Sequence, residues 1–437
     1  MTGRHLALLA ALCLMAGPGA AEGPAASRRA NVLLISLDTL RADRLGAWGY
    51  DRETSPALDA FAKTAVRFDR AYSETCWTLP AHLSLFTGLP PSSHGVLDAD
   101  RALPESVPLL AELLKSDGYR TFAITDGGYV DSFFGFGRGF DRYDEREKDL
   151  RSTLFLARNF LKTVKDDERF FLFLHTYDIH CPYDPPADYA ERFRTRPPAD
   201  RLDVAGKCGN PDYNGMTLTP GQIRFLSDQY DAGIRAADDL LGEFFAHLEA
   251  DEWLKDTIVI VVSDHGEQFG EHGKIGHGDS LYREELHVPL LVRAPGVAPR
   301  VSSHAVGLVD VMPTVLDLVG LGIPDVQGES LVPVMTGRVA DDPARPLFSE
   351  LDRVRHLRSV VESSAHLIVD RDAGTMAVYH WRTDPTEQTP SSDPGLTAPL
   401  RAKLDEHERT LVRPETVPAA PLDPAQVERL RALGYVE

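Results

Sequence analysis

The sequence from residue 31 to residue 38 reads Asn31-Val-Leu-Leu-Ile-Ser-Leu-Asp38, an apolar run of strand length that ends directly at a carboxylate. Apolar runs without polar alternation are typical of strands buried on both faces of a parallel sheet. The chain has four further runs of this kind, at 120–125, 170–174, 257–263 and 288–292. This pattern predicts an α/β fold built on a central sheet.

Helical patterns lie between these strands, as a layered α/β domain requires. Ser55 before Pro56, and Thr219 before Pro220, each place a capping hydroxyl ahead of a first-turn proline. The second of these helices is expected to reach about residue 250. Two further helical patterns cover residues 106–118 and 309–321.

The pattern changes after about residue 345. Short strand-like pieces at 359–362 and 366–370 alternate with clusters of Pro, Asp and Thr. The Pro-rich piece at 385–399 predicts a loop, and Asp423 before Pro424 predicts the start of a final helix that ends near Tyr435. We therefore expect a main domain at 30–345 and a smaller α+β subdomain at 346–437.

The N-terminus has the features of a Sec-type signal peptide: a basic start, a short apolar run and small residues ending at Ala21. Residues 1–21 are predicted to be this signal, and residues 22–29 a loose leader. An uncleaved anchor is the alternative. Nothing later in the sequence resembles a membrane span, so we expect a periplasmic or extracellular protein.

The charge balance argues against nucleic acid as a partner. Lys and Arg total 46 against 66 Asp and Glu, a formal net charge of −20. Such a surface repels nucleic acid and anionic membranes. An anionic substrate would therefore need a local site of capture. Of the four cysteines, Cys13 leaves with the signal, and the sequence leaves open whether Cys181 and Cys208 pair.

Polar side chains follow three of the predicted strands, at the edge where open α/β sheets bind ligands. Asp38 follows the first run, Asp264 and His265 follow the run at 257–263, and His175 follows the run at 170–174. Carboxylate oxygen and imidazole nitrogen are both ligands for Zn²⁺ or Mn²⁺. For His175 alone, a buried core histidine is an equally good interpretation.

Thr78 stands at a predicted helix N-terminus, with Pro80 in the first turn and Gly88 at the end. Amides and the helix dipole would stabilise an anion bound there. A metal held by Asp38, Asp264 and His265 would activate the hydroxyl as a nucleophile. The alternative is that Thr78 only caps the helix.

The chain resembles the sulfatase family of the alkaline phosphatase superfamily over most of residues 30–345. The matching stretches are Asn31-Val-Leu-Leu-Ile-Ser-Leu-Asp38, Thr54-Ser-Pro-Ala-Leu-Asp59, Leu83-Ser-Leu-Phe-Thr-Gly88 with His94-Gly95, Gly139-Phe-Asp141, Val261-Val-Ser-Asp-His-Gly266, Val288-Pro-Leu290 and Asp310-Val-Met-Pro-Thr314. The resemblance implies an alkaline-phosphatase-like central mixed β-sheet flanked by helices, with a smaller C-terminal sheet. It also implies cleavage of a sulfate or phosphate ester at one divalent metal ion, such as Mn, Zn or Ca.

The family's functional positions carry over residue by residue. Asp38 and Asp264 match metal ligands, and Thr39 stands where a second acidic residue is usual. His265, also expected to bind the metal, stands where sulfatases often have Asn and resembles the superfamily's threonine-using transferases. Thr78 occupies the nucleophile position and is also a candidate metal ligand. The expected catalytic set is Thr78, His82, His180 and His277, with His180 on the substrate side and His277 where many members carry a lysine near the leaving group.

The sequence departs from the family at the nucleophile. Formylglycine formation needs Cys, Pro and Arg at spacings of two, whereas this chain has Thr78, Pro80 and His82. We expect no formylglycine, and an exported hydrolase of sulfuric or phosphoric esters with a threonine nucleophile. The alternatives are a phosphoryl-type transferase similar to phosphoethanolamine and phosphoglycerol transferases, or an inactive anion-binding homologue.

Overall fold

The computed structural model describes residues 30–146, 149–195, 218–414 and 421–432. Ten strands precede the C-terminal part: β1 (Asn31–Leu37), β2 (Val66–Tyr72), β3 (Arg120–Ile124), β4 (Arg142–Asp144), β5 (Phe170–Thr176), β6 (Thr257–Val262), β7 (Gln268–Phe269), β8 (Ile275–Gly276), β9 (His287–Arg293) and β10 (Arg300–Gly307). Eight of them form one sheet in the order β10-β2-β9-β6-β1-β5-β3-β4, and β7 pairs with β8. The sheet is mixed because β9 runs antiparallel to β2 and β6.

The stretch that predicts the fold lies in the middle of this sheet. All seven residues of β1 are buried, and β1 pairs in parallel with β5 on one side and β6 on the other. Val32 and Leu34 pack into one apolar core, while Leu33 and Ile35 pack into a second core. The sheet is therefore covered on both faces, as the unbroken apolar run predicts.

Helices cover the two faces of the sheet and continue into the C-terminal part. Their bounds are α1 (Pro56–Ala62), α2 (Thr78–Thr87), α3 (Pro91–His94), α4 (Leu110–Ser116), α5 (Leu150–Leu161), α6 (Ala187–Phe193), α7 (Pro220–Ala250), α8 (Arg283–Leu286), α9 (Val311–Val319), α10 (Val332–Met335), α11 (Pro394–Thr410) and α12 (Pro424–Ala432). Helix α7 has the predicted ends. Its cap is reciprocal, because Thr219 Oγ1 accepts from the Gln222 amide (3.2 Å) and Gln222 Oε1 accepts from the Thr219 amide (2.9 Å).

Two helix starts differ from their predictions. The helix expected from Ser106 begins only at Leu110, because Pro108 disfavours helical backbone just before it and Glu112 Oε2 accepts from the Leu109 amide (3.0 Å). Thr78 is the first residue of α2 and not its N-cap. Trp77 takes the cap position, since its carbonyl already accepts the Ala81 amide (3.4 Å).

A separate four-stranded antiparallel sheet forms the C-terminal part: β11 (Leu347–Asp352), β12 (His356–Glu362), β13 (Ala365–Asp370) and β14 (Thr375–His380). Helix α11 packs on it through Leu400 and Leu404. The prediction of a loop over residues 385–399 is wrong in its second half. Pro394 is the first residue of α11, where the N–H that proline lacks would have no partner in the helix. The packed helix also tolerates a second proline, Pro399, in its interior.

Several predictions fall outside the described residues. These are the signal peptide at 1–21, the leader at 22–29, and the Cys208 half of the Cys181–Cys208 pairing. The last residues of the final predicted helix, 433–437, also lie there. Across the described ranges, no helix is long and apolar enough to cross a membrane.

Buried His94 at the end of α3 makes the fold acid-sensitive. Its Nδ1 accepts from the Val96 amide (3.2 Å), so Nε2 carries the proton and donates to the Pro80 carbonyl (3.2 Å). Burial lowers the pKa of His94 to about 3. The unfolded chain therefore takes up this proton at about pH 6.5, and stability is lost as the pH falls from there toward 3, by up to about 1.4 kcal/mol per pH unit.

We expect His94→Gln to flatten this dependence, because glutamine can donate and accept without titrating. Urea midpoints measured between pH 4.5 and pH 7.5 should fall less steeply for the variant than for the parent chain. Parallel curves would show that His94 takes up no extra proton on unfolding.

Candidate active site

Three strand ends of the central sheet meet at one point. β1 leads into Asp38, and β6 leads through Ser263 into Asp264 and His265. One ligand atom from each of these three side chains lies within 4.8 Å of the other two, and all three residues are buried. The structure thus brings together the metal-type residues that the sequence places at strand ends.

The two carboxylates of this cluster are compensated unequally by the protein. Burial acts to raise the pKa of Asp264, but His265, His82 and His175 hold it below its usual range. Asp38 Oδ1 and Asp264 Oδ2 are buried without a hydrogen-bond partner among the described residues. Burial raises the pKa of Asp38 well above its usual range, and the neighbouring charge of Asp264 raises it further. Two adjacent buried carboxylates with oxygens that accept no hydrogen bond are suited to bind a cation, whose positive charge would offset theirs.

His265 has its ring nitrogen ready for a metal. Nδ1 donates to the Gly266 carbonyl (3.0 Å), which leaves the lone pair on Nε2. Nε2 lies 3.2 Å from Asp264 Oδ2. Burial lowers the pKa of His265 to about 4, so the ring is neutral at pH 7. A neutral imidazole beside two carboxylates is a donor set suited to Zn²⁺ or Mn²⁺.

Backbone contacts hold the two carboxylate-bearing turns together. Thr39 has a positive φ of 58°, and its amide donates to Asp264 Oδ1 (3.3 Å). Its hydroxyl donates to the Asp38 carbonyl (2.7 Å). Gly266 has no room for a side chain, because a Cβ there would lie 2.0 Å from the Glu284 carbonyl oxygen.

Thr78 reaches the cluster from the N-terminus of α2. Its Oγ1 lies 3.3 Å from His265 Nε2, the nitrogen with the lone pair. Thr78 is fully buried and is the first residue of α2, where the helix dipole favours negative charge. The hydroxyl is therefore next to the proposed ligands, in a position where an anion would be stabilised.

His82 lies one turn along α2 and has both ring nitrogens engaged. Nδ1 donates to the Thr78 carbonyl (3.0 Å), and Nε2 accepts from Ser36 Oγ on β1 (2.9 Å). Nδ1 also lies 3.4 Å from Asp264 Oδ2. These contacts anchor the first turn of α2 to β1, and the catalytic role predicted for His82 stays a prediction.

His175, for which the sequence left two interpretations open, contacts the cluster. Nε2 donates to Asp38 Oδ2 over 3.2 Å, and the side chain is fully buried. The cause is strand register, since Ser36 of β1 pairs with His175 of β5 and with Val262 of β6. His175 therefore orients Asp38 and is not a plain core residue.

His180 and His277 lie next to each other, and the His277 ring lies next to that of His265. Their ring centroids are 5.1 Å apart, and those of His277 and His265 are 4.4 Å apart. Burial lowers the pKa of both His180 and His277 to about 4. His180 also lines a cleft of about 670 Å³, together with Tyr177 and Pro182.

Glu267 is a residue of this site that sequence reasoning missed. Its Oε1 lies 2.9 Å from His277 Nδ1, and both side chains are buried. The only signal in the sequence was its place in Asp264-His-Gly-Glu267, three residues after a candidate ligand.

A family comparison agrees with this geometry. The sulfatase family model matches residues 30–321. The chain belongs to the sulfatase family. A second model, for the C-terminal part of N-sulphoglucosamine sulphohydrolase, matches residues 270–411. The predicted family and the predicted fold class are both confirmed.

Relatives of this sulfatase-family chain have names of the sulfatase family and of the alkaline phosphatase superfamily. The multifunctional alkaline phosphatase superfamily protein PehA of Trinickia caryophylli is 27% identical, and the match covers 74% of this chain and 80% of that protein. The choline-sulfatase of Rhizobium meliloti (strain 1021) is 25% identical, with 72% and 73% covered. The chain is accordingly an enzyme of the hydrolase class.

A solved structure supports the fold. The phosphonate monoester hydrolase of Agrobacterium radiobacter matches with a TM-score of 0.71 at 21% identity, covering 88% of this chain and 95% of that chain.

Proposed function

We propose that the chain is a metal-dependent hydrolase of phosphoric or sulfuric esters in which Thr78 is the nucleophile. The observation that carries this proposal is the 3.3 Å separation of Thr78 Oγ1 from His265 Nε2, inside the cluster of Asp38, Asp264 and His265. Threonine here takes the position of the formylglycine precursor in most sulfatases.

Asp38, Asp264 and His265 would hold one divalent ion, with Thr78 Oγ1 as a further ligand. Mn, Zn and Ca are the candidates. The ion would supply positive charge against the developing negative charge of the reaction and favour loss of the Thr78 proton. Asp38 Oδ1 and Asp264 Oδ2 have no hydrogen-bond partner among the described residues, which supports this assignment.

In the proposed reaction, Thr78 loses its proton to solvent and its oxygen attacks phosphorus or sulfur. A bond from Thr78 Oγ1 to that atom forms, and the bond to the leaving oxygen breaks. The leaving oxygen takes a proton from the side of His180 and His277. Water then attacks the same atom and returns a proton to that side, the bond to Thr78 Oγ1 breaks, and Thr78 takes up a proton from solvent.

The single oxygen of Thr78 favours phosphate over sulfate. A hydrated formylglycine has two hydroxyls on one carbon, so that the second can expel sulfate by breaking a C–O bond. Thr78 has no second hydroxyl, and its intermediate must be released by attack at phosphorus or sulfur. In-line displacement at a phosphoryl group is well suited to such a site.

A screen of esters and metals tests the proposal. Purified protein, stripped and reloaded with Mn²⁺, Zn²⁺, Ca²⁺ or Mg²⁺, is assayed on matched aryl phosphates, phosphodiesters and sulfates. We expect metal-dependent turnover with phosphoesters ahead of sulfates. Metal binding without turnover of any ester would favour the anion-binding homologue instead.

We expect His180→Ala to lower turnover by about 10- to 100-fold with little change in thermal stability. His180 lines the cleft, and its Nδ1 donates to the adjacent Cys181 carbonyl (2.6 Å). Buried His366, which pairs with Glu387 in the C-terminal part (2.7 Å), supplies a matched control. His366→Ala should lose stability and keep the turnover of its folded fraction. The reverse pattern would make His180 a core histidine.

We also propose export through the N-terminal segment, since residues 1–21 have the composition of a Sec-type signal. Fractionation of producing cells, with mass spectrometry of the mature N-terminus, tests this. An intact Met1 in the cytoplasmic fraction alone would reject it.

A further inference from the structure

Glu267 and His277 form a buried pair beside the cluster. Glu267 Oε1 and His277 Nδ1 are 2.9 Å apart, and the exposed fractions of the two side chains are 0% and 1%. A carboxylate next to one ring nitrogen of histidine determines which nitrogen carries the proton.

The pair is rigidly built into the chain. Gln268 of β7 pairs with Gly276 of β8, so Glu267 and His277 flank the same rung of this two-stranded ladder. The Glu267 carbonyl also accepts from Arg41 Nη1 (2.8 Å). Arg41 is held in turn by Asp43 and Glu271. Glu267 therefore has little freedom to leave His277.

We propose that Glu267 is a positioning residue that keeps the proton of His277 on Nδ1 and thereby makes Nε2 the proton-transferring atom of ester cleavage. This inference rests on the proposed function, because it assigns the atom through which His277 serves that reaction.

The proposed reaction moves protons through solvent and through His277 Nε2. In the first step the Thr78 proton goes to solvent as Thr78 attacks, and the N–H bond at His277 Nε2 breaks as the leaving oxygen gains its proton. In the second step an O–H bond of the attacking water breaks, the N–H bond at Nε2 forms again, and Thr78 leaves and takes up a proton from solvent. The Nδ1 proton remains in the hydrogen bond to Glu267 throughout, where the carboxylate stabilises the imidazolium that exists before the first step and after the second.

A neighbouring carboxylate, Glu285, binds the same loop but does not bind the His277 ring. It therefore allows support of the loop to be tested apart from positioning of the ring. Glu285 Oε2 accepts from the Gly278 amide (2.9 Å), and Glu285 Oε1 accepts from Gln268 Nε2 (2.6 Å). Glu285 is also fully buried. Glu285→Gln is therefore a matched control: a buried carboxylate on the same loop that binds no imidazole.

The kinetic test compares two leaving groups. Ethyl phosphate needs a proton on its leaving oxygen, whereas p-nitrophenyl phosphate scarcely does. We expect Glu267→Met to lower kcat by about 100-fold on ethyl phosphate and by less than about 5-fold on p-nitrophenyl phosphate. Glu267→Gln, which keeps an acceptor oxygen, should recover part of the loss. Glu285→Gln should change both substrates by the same factor.

Two results would overturn the inference. One is an equal loss on both esters in Glu267→Met with metal content unchanged. The other is a full additional loss when Glu267→Met is added to His277→Ala, because a residue acting through His277 has nothing left to position.

A measurement of the His277 tautomer does not depend on turnover, so it tests this inference apart from the proposed function. In protein with ¹⁵N-labelled histidine, the His277 signal, assigned by its loss in His277→Ala, should report a proton on Nδ1. Glu267→Met should shift that signal toward the other tautomer, and Glu285→Gln should not. An unchanged tautomer in Glu267→Met would reject the inference. Absence of ester turnover in the parent chain would reject the proposed function. The tautomer measurement would still decide whether Glu267 keeps the proton on His277 Nδ1.

Discussion

Thr78→Ala is expected to lower kcat/KM for phosphate esters by about 10³-fold or more while metal content stays near that of the parent chain. The variant removes the attacking oxygen but leaves Asp38, Asp264 and His265 in place. Because Thr78 is the first residue of α2 and Trp77 provides the cap, no capping hydroxyl is lost, and the fold should tolerate alanine.

Thr75 supplies the control for this variant. It is buried three residues before Thr78, and its Oγ1 has no hydrogen-bond partner among the described residues. Thr75→Ala should therefore keep both activity and metal. Intact-protein mass spectrometry after rapid quenching should show a phosphate-sized adduct on the parent chain that Thr78→Ala lacks. Efficient aryl sulfate hydrolysis that survives Thr78→Ala would contradict both the nucleophile and the phosphate preference.

The candidate metal ligands could be located from the sequence because they follow directly from strand ends. Asp38 and Asp264 come just after unbroken apolar runs, so their meeting at one edge follows from a parallel sheet alone. His175 depends also on register, and only the pairing of Ser36 with His175 decides its position. Glu267 depends on a hairpin of two-residue strands, which is too short to leave a periodic pattern.

The same limits apply to predicting the fold from the sequence. Strand β2 was not predicted because Arg67, Asp69 and Arg70 interrupt its apolar residues. The loop predicted over residues 385–399 overlaps the start of α11, because prolines break helices in isolation, whereas Pro394 stands in the first turn, where proline is favoured. In both cases long-range packing outweighs the local signal.

Asp264→Asn is expected to abolish metal binding, from about one ion per chain to less than about a tenth, and activity with it. Asparagine keeps an oxygen for the Thr39 amide, which donates to Asp264 Oδ1, but removes the charge that a cation needs. Elemental analysis and turnover should fall together. The control is Asp238, which accepts from the Ala57 and Leu58 amides (both 2.8 Å) away from the cluster. Asp238→Asn should lose stability and keep its metal.

The same variant should lose the stability that bound metal adds to the parent chain. With metal at 100 times its Kd, the parent chain gains about 2.7 kcal/mol of unfolding free energy, and Asp264→Asn gains almost none. Without metal, the parent chain holds two adjacent buried carboxylates, and the charge of Asp264 contributes to the raised pKa of Asp38. Removing one of these charges relieves that repulsion but also removes a charge that is stabilised by His265, His82 and His175, which hold the pKa of Asp264 below its usual range against the effect of burial. The two effects oppose each other, so metal-free Asp264→Asn should unfold close to the temperature of metal-free parent. Thermal unfolding in chelator and in excess metal measures both effects. Equal metal content in the two proteins, or a metal-free variant that is much less stable than the parent, would show that Asp264 serves the fold and not a cation.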